Sequence, residues 1–202
     1  MFYLDHPGYH ARMEDTSRLH WTEIRRRRVY TSPILTVLEA RHRNIRGDEG
    51  DFTLVESPDW VNVIAITQDS RGRRCFVMVR QYRHGEGRLA LEFPGGLVDS
   101  GESPDDAVRR ELTEETGYTA KQWTTLGSMN PNPAFMTNHL HCYLAEDLET
   151  PGGQNLDPLE LLDVELVPEI EILQGRRDDF LVNGVMMIPL SLYQRYREQR
   201  TL

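Results

Sequence analysis

The segment Gly101-Glu-Ser-Pro-Asp-Asp-Ala-Val-Arg-Arg-Glu-Leu-Thr-Glu-Glu-Thr-Gly-Tyr118 constrains this chain more than any other. Ser103 suits an N-cap, Pro104 the first helical position, and Asp106 the closing residue of a capping box. Gly117 suits the left-handed position just past a helix end. The pattern predicts a helix between Ser103 and Gly117. At about 3.6 residues per turn, Ala107, Val108 and Leu112 form its apolar stripe. Glu111 and Glu115 fall on or beside that stripe, whereas Arg109 falls opposite. Two carboxylates one turn apart are thus turned toward the protein body, where charge must be paired. Like charges at that spacing also weaken a helix by a few tenths of a kcal/mol. A hard divalent cation such as Mg²⁺ or Mn²⁺, which takes oxygen ligands, resolves both costs.

The remaining pattern alternates strand-like runs with turn residues. Runs are expected at Ile34–Leu38, Asp51–Val55, Val61–Ile66, Cys75–Val79 and Leu89–Phe93, with a hairpin turn over Gln68–Gly72. Further strands are expected at Trp123–Ser128, His139–Ala145 and Leu161–Leu166. A short helix follows Pro168, and a terminal helix spans Asn183–Arg197. Residues 1 to about 20 have no clear period and read as an arm. Many strands, one helix, more strands and then helices imply an α+β or α/β/α sandwich with a mixed sheet. The 202 residues, 39% of them hydrophobic, allow one core plus a small appendage.

A net charge of −9 argues against a general binder of nucleic acid, which needs Lys and Arg on phosphates. The basic run Arg25–Arg28 reads as a solvated strand edge. Cys75 and Cys142 lie in apolar runs and read as two buried thiols in a reduced compartment. With no basic-then-apolar leader and no run of about 18 apolar residues, the expectation is a soluble cytoplasmic protein with no membrane partner. His139 and His141 alternate on one strand and read as structural. Trp21, Tyr30 and Trp60 are candidates to stack on a purine, although each competes with a core role. Met129 and Phe135 read as pocket wall or core.

Gly96, five residues, Glu102, seven residues, then Arg110-Glu-Leu-Thr-Glu-Glu-Thr-Gly-Tyr118 resembles the Nudix box, G-x5-E-x7-R-E-U-x-E-E-x-G-U. Only Tyr118 departs, standing where an aliphatic residue is usual. The resemblance implies the Nudix fold and hydrolysis of a nucleoside diphosphate linked to another group. It makes Glu111, Glu115 and Glu114 metal ligands, with the Gly95 carbonyl completing the shell, and places Glu114 and Glu115 in the catalytic set. Arg110 and Glu102 join the substrate-side set, Glu102 chiefly by bracing Arg110. The flanks Val79-Arg-Gln-Tyr-Arg83 and Leu91-Glu-Phe-Pro-Gly-Gly96 resemble the ADP-ribose pyrophosphatase and nucleoside diphosphate sugar hydrolase branch. That likeness implies substrate contacts at Arg83 and Pro133, and at Glu92 either a ribose contact or a structural hydrogen bond. Ala134 replaces the branch's usual Gly after that proline, so the sugar, ADP-ribose or another such as GDP-mannose, stays open. Leu159–Leu166 resembles the branch's E-x-I-x-V segment before its last strand, which implies the general base at Glu160, with Asp157, Asp163 and the box glutamates as competitors, behind a Gly152-Gly153 loop suited to a mobile lid. The branch also implies a homodimer through a domain-swapped, β-rich segment at residues 1–58, with the hydrolase domain at 59–202.

Overall fold

The computed structural model describes residues 16–149 and 152–201, so most of the expected N-terminal arm lies outside the described residues. The chain divides into two compact units between Glu56 and Ser57. In the first, β1 (Trp21–Thr31), β2 (Thr36–Asn44) and β3 (Glu49–Glu56) form an antiparallel sheet in that order. Pro33 and the Ser32 side chain hold a turn, in which Ser32 N–H donates to the Leu35 carbonyl (2.9 Å). The second strand therefore starts two residues later than its apolar run suggested. The Arg25–Arg28 run lies on the edge strand β1. Arg27 makes a two-pronged pair with Glu39 across the ladder (2.7 and 2.9 Å), and Arg26 pairs with Glu23 and Glu56.

The second unit is a mixed sheet of β4 (Trp60–Gln68), β5 (Arg74–Arg83), β6 (Arg88–Glu92), β7 (Ala120–Met129), β8 (Leu140–Leu148) and β9 (Leu162–Pro168). Its order is β6-β5-β4-β8-β7, with β9 paired to β5. Only β4 and β8 run parallel; the remaining named pairs are antiparallel. The apolar run of β4 is buried on both faces, as an inner strand requires. Val61, Val63 and Ala65 pack with Ala107, Val108 and Leu112 of α1 (Pro104–Thr116). Ile64 and Ile66 point the other way, into a core with Phe76, Phe93, Leu190 and Tyr193. Leu190 and Tyr193 belong to α3 (Met187–Thr201), so the unit has the three expected layers. α2 (Glu169–Leu173) follows Pro168 as expected. The terminal helix begins later than expected, because residues 184–186 form a 3₁₀ turn capped by the Asn183 side chain. Both cysteines are buried free thiols. His141 pairs with Asp59 (2.9 Å). Among the described residues, no helix is long and apolar enough to cross a membrane.

Glu165 on β9 is a partly buried member of an ion-pair network. With Asp179 it forms a network around two arginines. Arg80 reaches Glu165 (2.7 Å) and Asp179 (2.8 Å), and Arg177 reaches both at 2.9 Å. Hydrogen bonding from Arg177, reinforced by Arg80 against the cost of burial, holds the Asp179 carboxyl down at about 2. A depressed carboxyl stabilises the fold above its ordinary value near 3.8, and that stability is lost as pH falls toward about 2. The shift corresponds to roughly 2 kcal/mol at neutral pH. Asp179→Asn is expected to lower urea-derived stability by about that much at pH 7. The gap to the parent should narrow between pH 4 and pH 2. A gap that stays constant down to pH 3 would exclude the network as its source.

Candidate active site

The site begins where β6 runs out into Phe93-Pro94-Gly95-Gly96. These residues continue alongside β4: Val63 N–H donates to the Pro94 carbonyl and Val61 N–H to the Gly96 carbonyl, both at 2.9 Å. The approach is too close for side chains. A Cβ on Gly95 would collide with the Val61 carbonyl, and one on Gly96 with the Glu111 carboxylate. The glycine turn thereby lies directly over the inner face of α1, and Gly95 N–H donates to Glu115 Oε2 (2.9 Å).

The helix is bounded as its sequence suggests, with Ser103 as N-cap and Gly117 in the left-handed conformation at φ +74°. Its capping box differs in one bond. Asp106 N–H donates to the Ser103 hydroxyl (3.1 Å), and that hydroxyl donates in turn to the Asp106 carboxylate (2.7 Å). Arg109 lies on the outer face, over the Trp123 ring at 4.5 Å. Glu111 and Glu115 are buried, at 8% and 3% exposure, while Glu114 is half-buried. The loop before β9 is fastened to the helix end. Gly152 N–H bonds the Gly117 carbonyl (2.8 Å), Gln154 Nε2 the Glu115 carbonyl (2.7 Å) and Asn155 N–H the Glu114 carbonyl (2.9 Å). Carbonyls that a helix leaves unpaired at its C-terminal end make this latch. The segment expected to be a free lid is therefore pinned at residues 152–155.

Arg110 ties the acidic residues together. Its Nε and Nη2 grip Glu102 (3.0 and 2.9 Å), Nη1 reaches Glu111 (2.8 Å) and Glu114 (3.1 Å), and Nη2 reaches the Leu97 carbonyl (3.0 Å). All its donors are directed at protein, so Arg110 and Glu102 brace the site from within. Arg110 holds the Glu102 carboxyl below its ordinary range. Burial raises Glu111, with Arg110 opposing. Burial pushes Glu115 up to about 8, against the Gly95 N–H and with the negative charges of Glu111 and Glu160 adding to the rise.

Arg110, Glu111, Glu114 and Glu115 line a cavity of about 590 Å³ that also takes in Gly95, Arg83, Asp157 and Glu160; Glu102 stands outside that lining. Glu160 N–H bonds the Asp157 carbonyl (2.9 Å) and its carboxylate accepts from Asp157 N–H (3.2 Å). Asp163 does not line the cavity; it sits on β9 opposite Arg80. Glu92, 1% exposed, lies behind the wall, where Arg83, Gln81 and Asn183 all donate to it. Arg83 commits Nε and Nη2 to that pair. Pro133 is exposed and outside the cavity lining. Asn130 and Asn132 fold residues 130–136 into a tight turn that leaves Pro133 on its outer side. Met129 and Phe135 are each 42% exposed, neither core nor cavity wall. Sequence reading missed Asn183 and Gln81. Asn183 offered a signal only as a helix-start residue, whereas it lies in the wall and bonds Glu92 at 2.7 Å.

Among the described residues, no three carboxylates or imidazoles stand close enough to form a ready-made cation cage. The donor chemistry nonetheless fits a hard divalent ion. Glu111, Glu114, Glu115 and the Gly95 carbonyl supply only oxygens, and among the described residues a single amide N–H is the hydrogen-bond partner of the buried Glu115 carboxylate. A cation there would offset the charge that burial opposes.

The NUDIX domain family matches residues 58–183, more than half of the chain. An ADP-ribose pyrophosphatase of Bacillus subtilis is 33% identical over 127 residues, covering 61% of this chain and 66% of that protein. A methanol dehydrogenase activator of Bacillus methanolicus is 34% identical over 149 residues, 73% of this chain and 78% of its own. A mouse ADP-sugar pyrophosphatase is 38% identical over 87 residues, 42% of this chain and 40% of its own. The matches thus span between two fifths and about four fifths of these relatives' lengths. A crystal structure of an ADP compounds hydrolase superposes with a TM-score of 0.76 at 24% identity, covering 89% of this chain and 95% of that one, and shows the same fold. The glycine turn, the braced glutamate helix and these likenesses agree: the chain is a member of the Nudix family.

Proposed function

We propose that this chain is a divalent-cation-dependent pyrophosphohydrolase that splits ADP-ribose or a related nucleoside diphosphate sugar into a nucleoside monophosphate and a sugar phosphate. The observation that carries this reading is the burial of Glu111 and Glu115 beneath a glycine turn, in a cavity that also holds Arg83 and Glu160. The relatives named as ADP-ribose and ADP-sugar pyrophosphatases support the substrate class.

Glu111, Glu114, Glu115 and the Gly95 carbonyl would hold Mg²⁺ or Mn²⁺, which supplies charge neutralisation at the diphosphate and a more acidic water. Arg110 fixes Glu111 and Glu114 in place while Glu102 fixes Arg110. Arg83, with two donors held by Glu92, keeps Nη1 for a phosphate oxygen. A water oxygen attacks phosphorus, the bond from that phosphorus to the bridging oxygen breaks, and the second phosphate leaves with the electron pair. Glu160 takes the water's proton, one of its oxygens being steadied by Asp157 N–H.

The direct test is chromatographic product analysis with Mg²⁺ and ADP-ribose, ADP-glucose, GDP-mannose or a dinucleoside tetraphosphate. AMP or GMP plus a sugar phosphate is the expected result, and cleavage of the tetraphosphate alone would refute the substrate class. Glu115→Gln is expected to abolish nearly all turnover while leaving the metal-free melting temperature unchanged or higher. Full activity in that variant would remove Glu115 from the metal site. Glu160→Gln is expected to lower kcat by about 10²-fold or more with little change in KM. An unchanged kcat would move the base to Asp157. The exposed Trp21, Val29 and Tyr30 of β1 support a homodimer through the N-terminal segment. Light scattering should then give twice the chain's 23.4 kDa, and a monomer mass would end that reading.

A further inference from the structure

Arg83 is exposed and has open space on two sides. It lines the active-site cavity and, with Asn183, a second cavity of about 440 Å³ that opens beside Tyr82, His84 and Glu86. Arg83 and Asn183 are the residues common to both linings. Packing therefore does not by itself fix the guanidinium, and a long charged side chain left to itself samples many rotamers. Glu86 on the second side is a rival carboxylate for it. The choice between the two sides rests on Glu92, which accepts from Arg83 Nε (2.9 Å) and also from Nη2.

Whatever fixes Glu92 therefore fixes Arg83. Glu92 is buried at the end of β6, and Arg83 and Gln81 reach it from the neighbouring strand β5, Gln81 at only 3.4 Å. Among the described residues, Asn183 is the donor to Glu92 that comes from outside this hairpin. Its Nδ2 meets Oε1 at 2.7 Å, the same oxygen that accepts from Arg83 Nε. Its Oδ1 accepts from Val185 N–H (3.0 Å), and its backbone carbonyl accepts from Met186 N–H (3.1 Å). A backbone N–H only donates and a carboxylate only accepts, so the two partners leave the amide one orientation. Asn183 thus fastens Glu92 to the turn that starts α3. Resting on the function proposed above, we infer that Asn183 is a positioning residue for the reaction. It holds the Glu92 carboxylate, and through it keeps the Arg83 guanidinium on the active-site side, with Nη1 presented to a phosphate oxygen.

The experiment is a double-mutant cycle. Asn183→Ser and Asn183→Asp each keep an oxygen for the Val185 N–H and remove the donor to Glu92. Each is made in the parent and in Arg83→Gln, and all are assayed with Mg²⁺ and ADP-ribose. In the parent, either change should raise KM about 10-fold with kcat largely kept, because a hydrogen bond to a charged group is lost. In Arg83→Gln the same change should have little further effect, because the group it positions is gone. An equal loss in both backgrounds would overturn the inference and make Asn183 a cap of the 3₁₀ turn alone. No loss in the parent would overturn it as well. A readout independent of turnover is the Arg83 Nε–H proton, seen by nuclear magnetic resonance and assigned by its absence from Arg83→Gln. Its exchange with water should be about 10-fold faster in Asn183→Ser than in the parent. If the parent cleaves no nucleoside diphosphate sugar, the proposed function fails by itself. Faster exchange would then still support the tether, and unchanged exchange would refute it.

Discussion

Two carboxylates, Glu111 and Glu115, are buried against a backbone turn that has no side chains, and the remainder of the site is arranged around that contact. Burying charge is costly unless something pairs with it. The protein meets this cost unevenly. Glu111 receives a guanidinium hydrogen bond from Arg110, whereas among the described residues Glu115 receives only the Gly95 amide. The imbalance leaves a region that favours either a proton or a cation, with Glu115 pushed up to about 8. A scaffold that spends stability on such a contact is characteristic of a functional site.

The turn and the helix are held by elements that have little to do with acid–base chemistry. Residues 94–96 take the place of a strand beside β4, so the position of the turn follows from the sheet. The inner stripe of α1 packs on Val61, Val63 and Ala65, which sets the depth of the glutamates. The free carbonyls at the helix's C-terminal end then hold residues 152–155. That latch sets where the following residues, Asp157 and Glu160, stand in the cavity wall. The same helix thus presents acidic side chains along its inner face and orders the acidic loop through its backbone.

Nonlocal ion pairs shape the surroundings. The Arg83–Glu92 pair is joined by Asn183 from the turn that precedes α3. Arg80, Arg177, Glu165 and Asp179 tie β5 and β9 to the chain before that turn. The two networks are distinct, yet both link β5 to the segment between β9 and α3. The 3₁₀ turn at 184–186 brings Met186 under Phe93, whose N–H meets the Met186 sulfur at 3.3 Å. The charged end of the cavity is therefore a product of contacts between residues some ninety positions apart.

The helix, its caps, its apolar stripe and the inward placement of Glu111 and Glu115 were legible in the sequence. Each depends on spacing within a few residues and on a 3.6-residue period. The Gly95-Gly96 pair was visible in sequence as part of the Nudix-box resemblance, while the close approach that requires glycine there is seen only in the fold. Contacts made across the fold were not legible. Nothing local distinguishes Asn183 from any other residue that opens a helix, or Glu165 from an exposed strand position. The same holds for the outward face of Pro133, which depends on the side chains of Asn130 and Asn132 closing a turn. The Gly152-Gly153 loop read as a lid because glycine implies freedom, yet unpaired helix carbonyls hold its start. Sequence by itself determined which groups form the acidic helix and which way they point, because a helix is specified by its neighbours in the chain. Only the tertiary structure decided which partners restrain those groups, because hydrogen bonds and ion pairs between distant segments exist only once packing has brought them together.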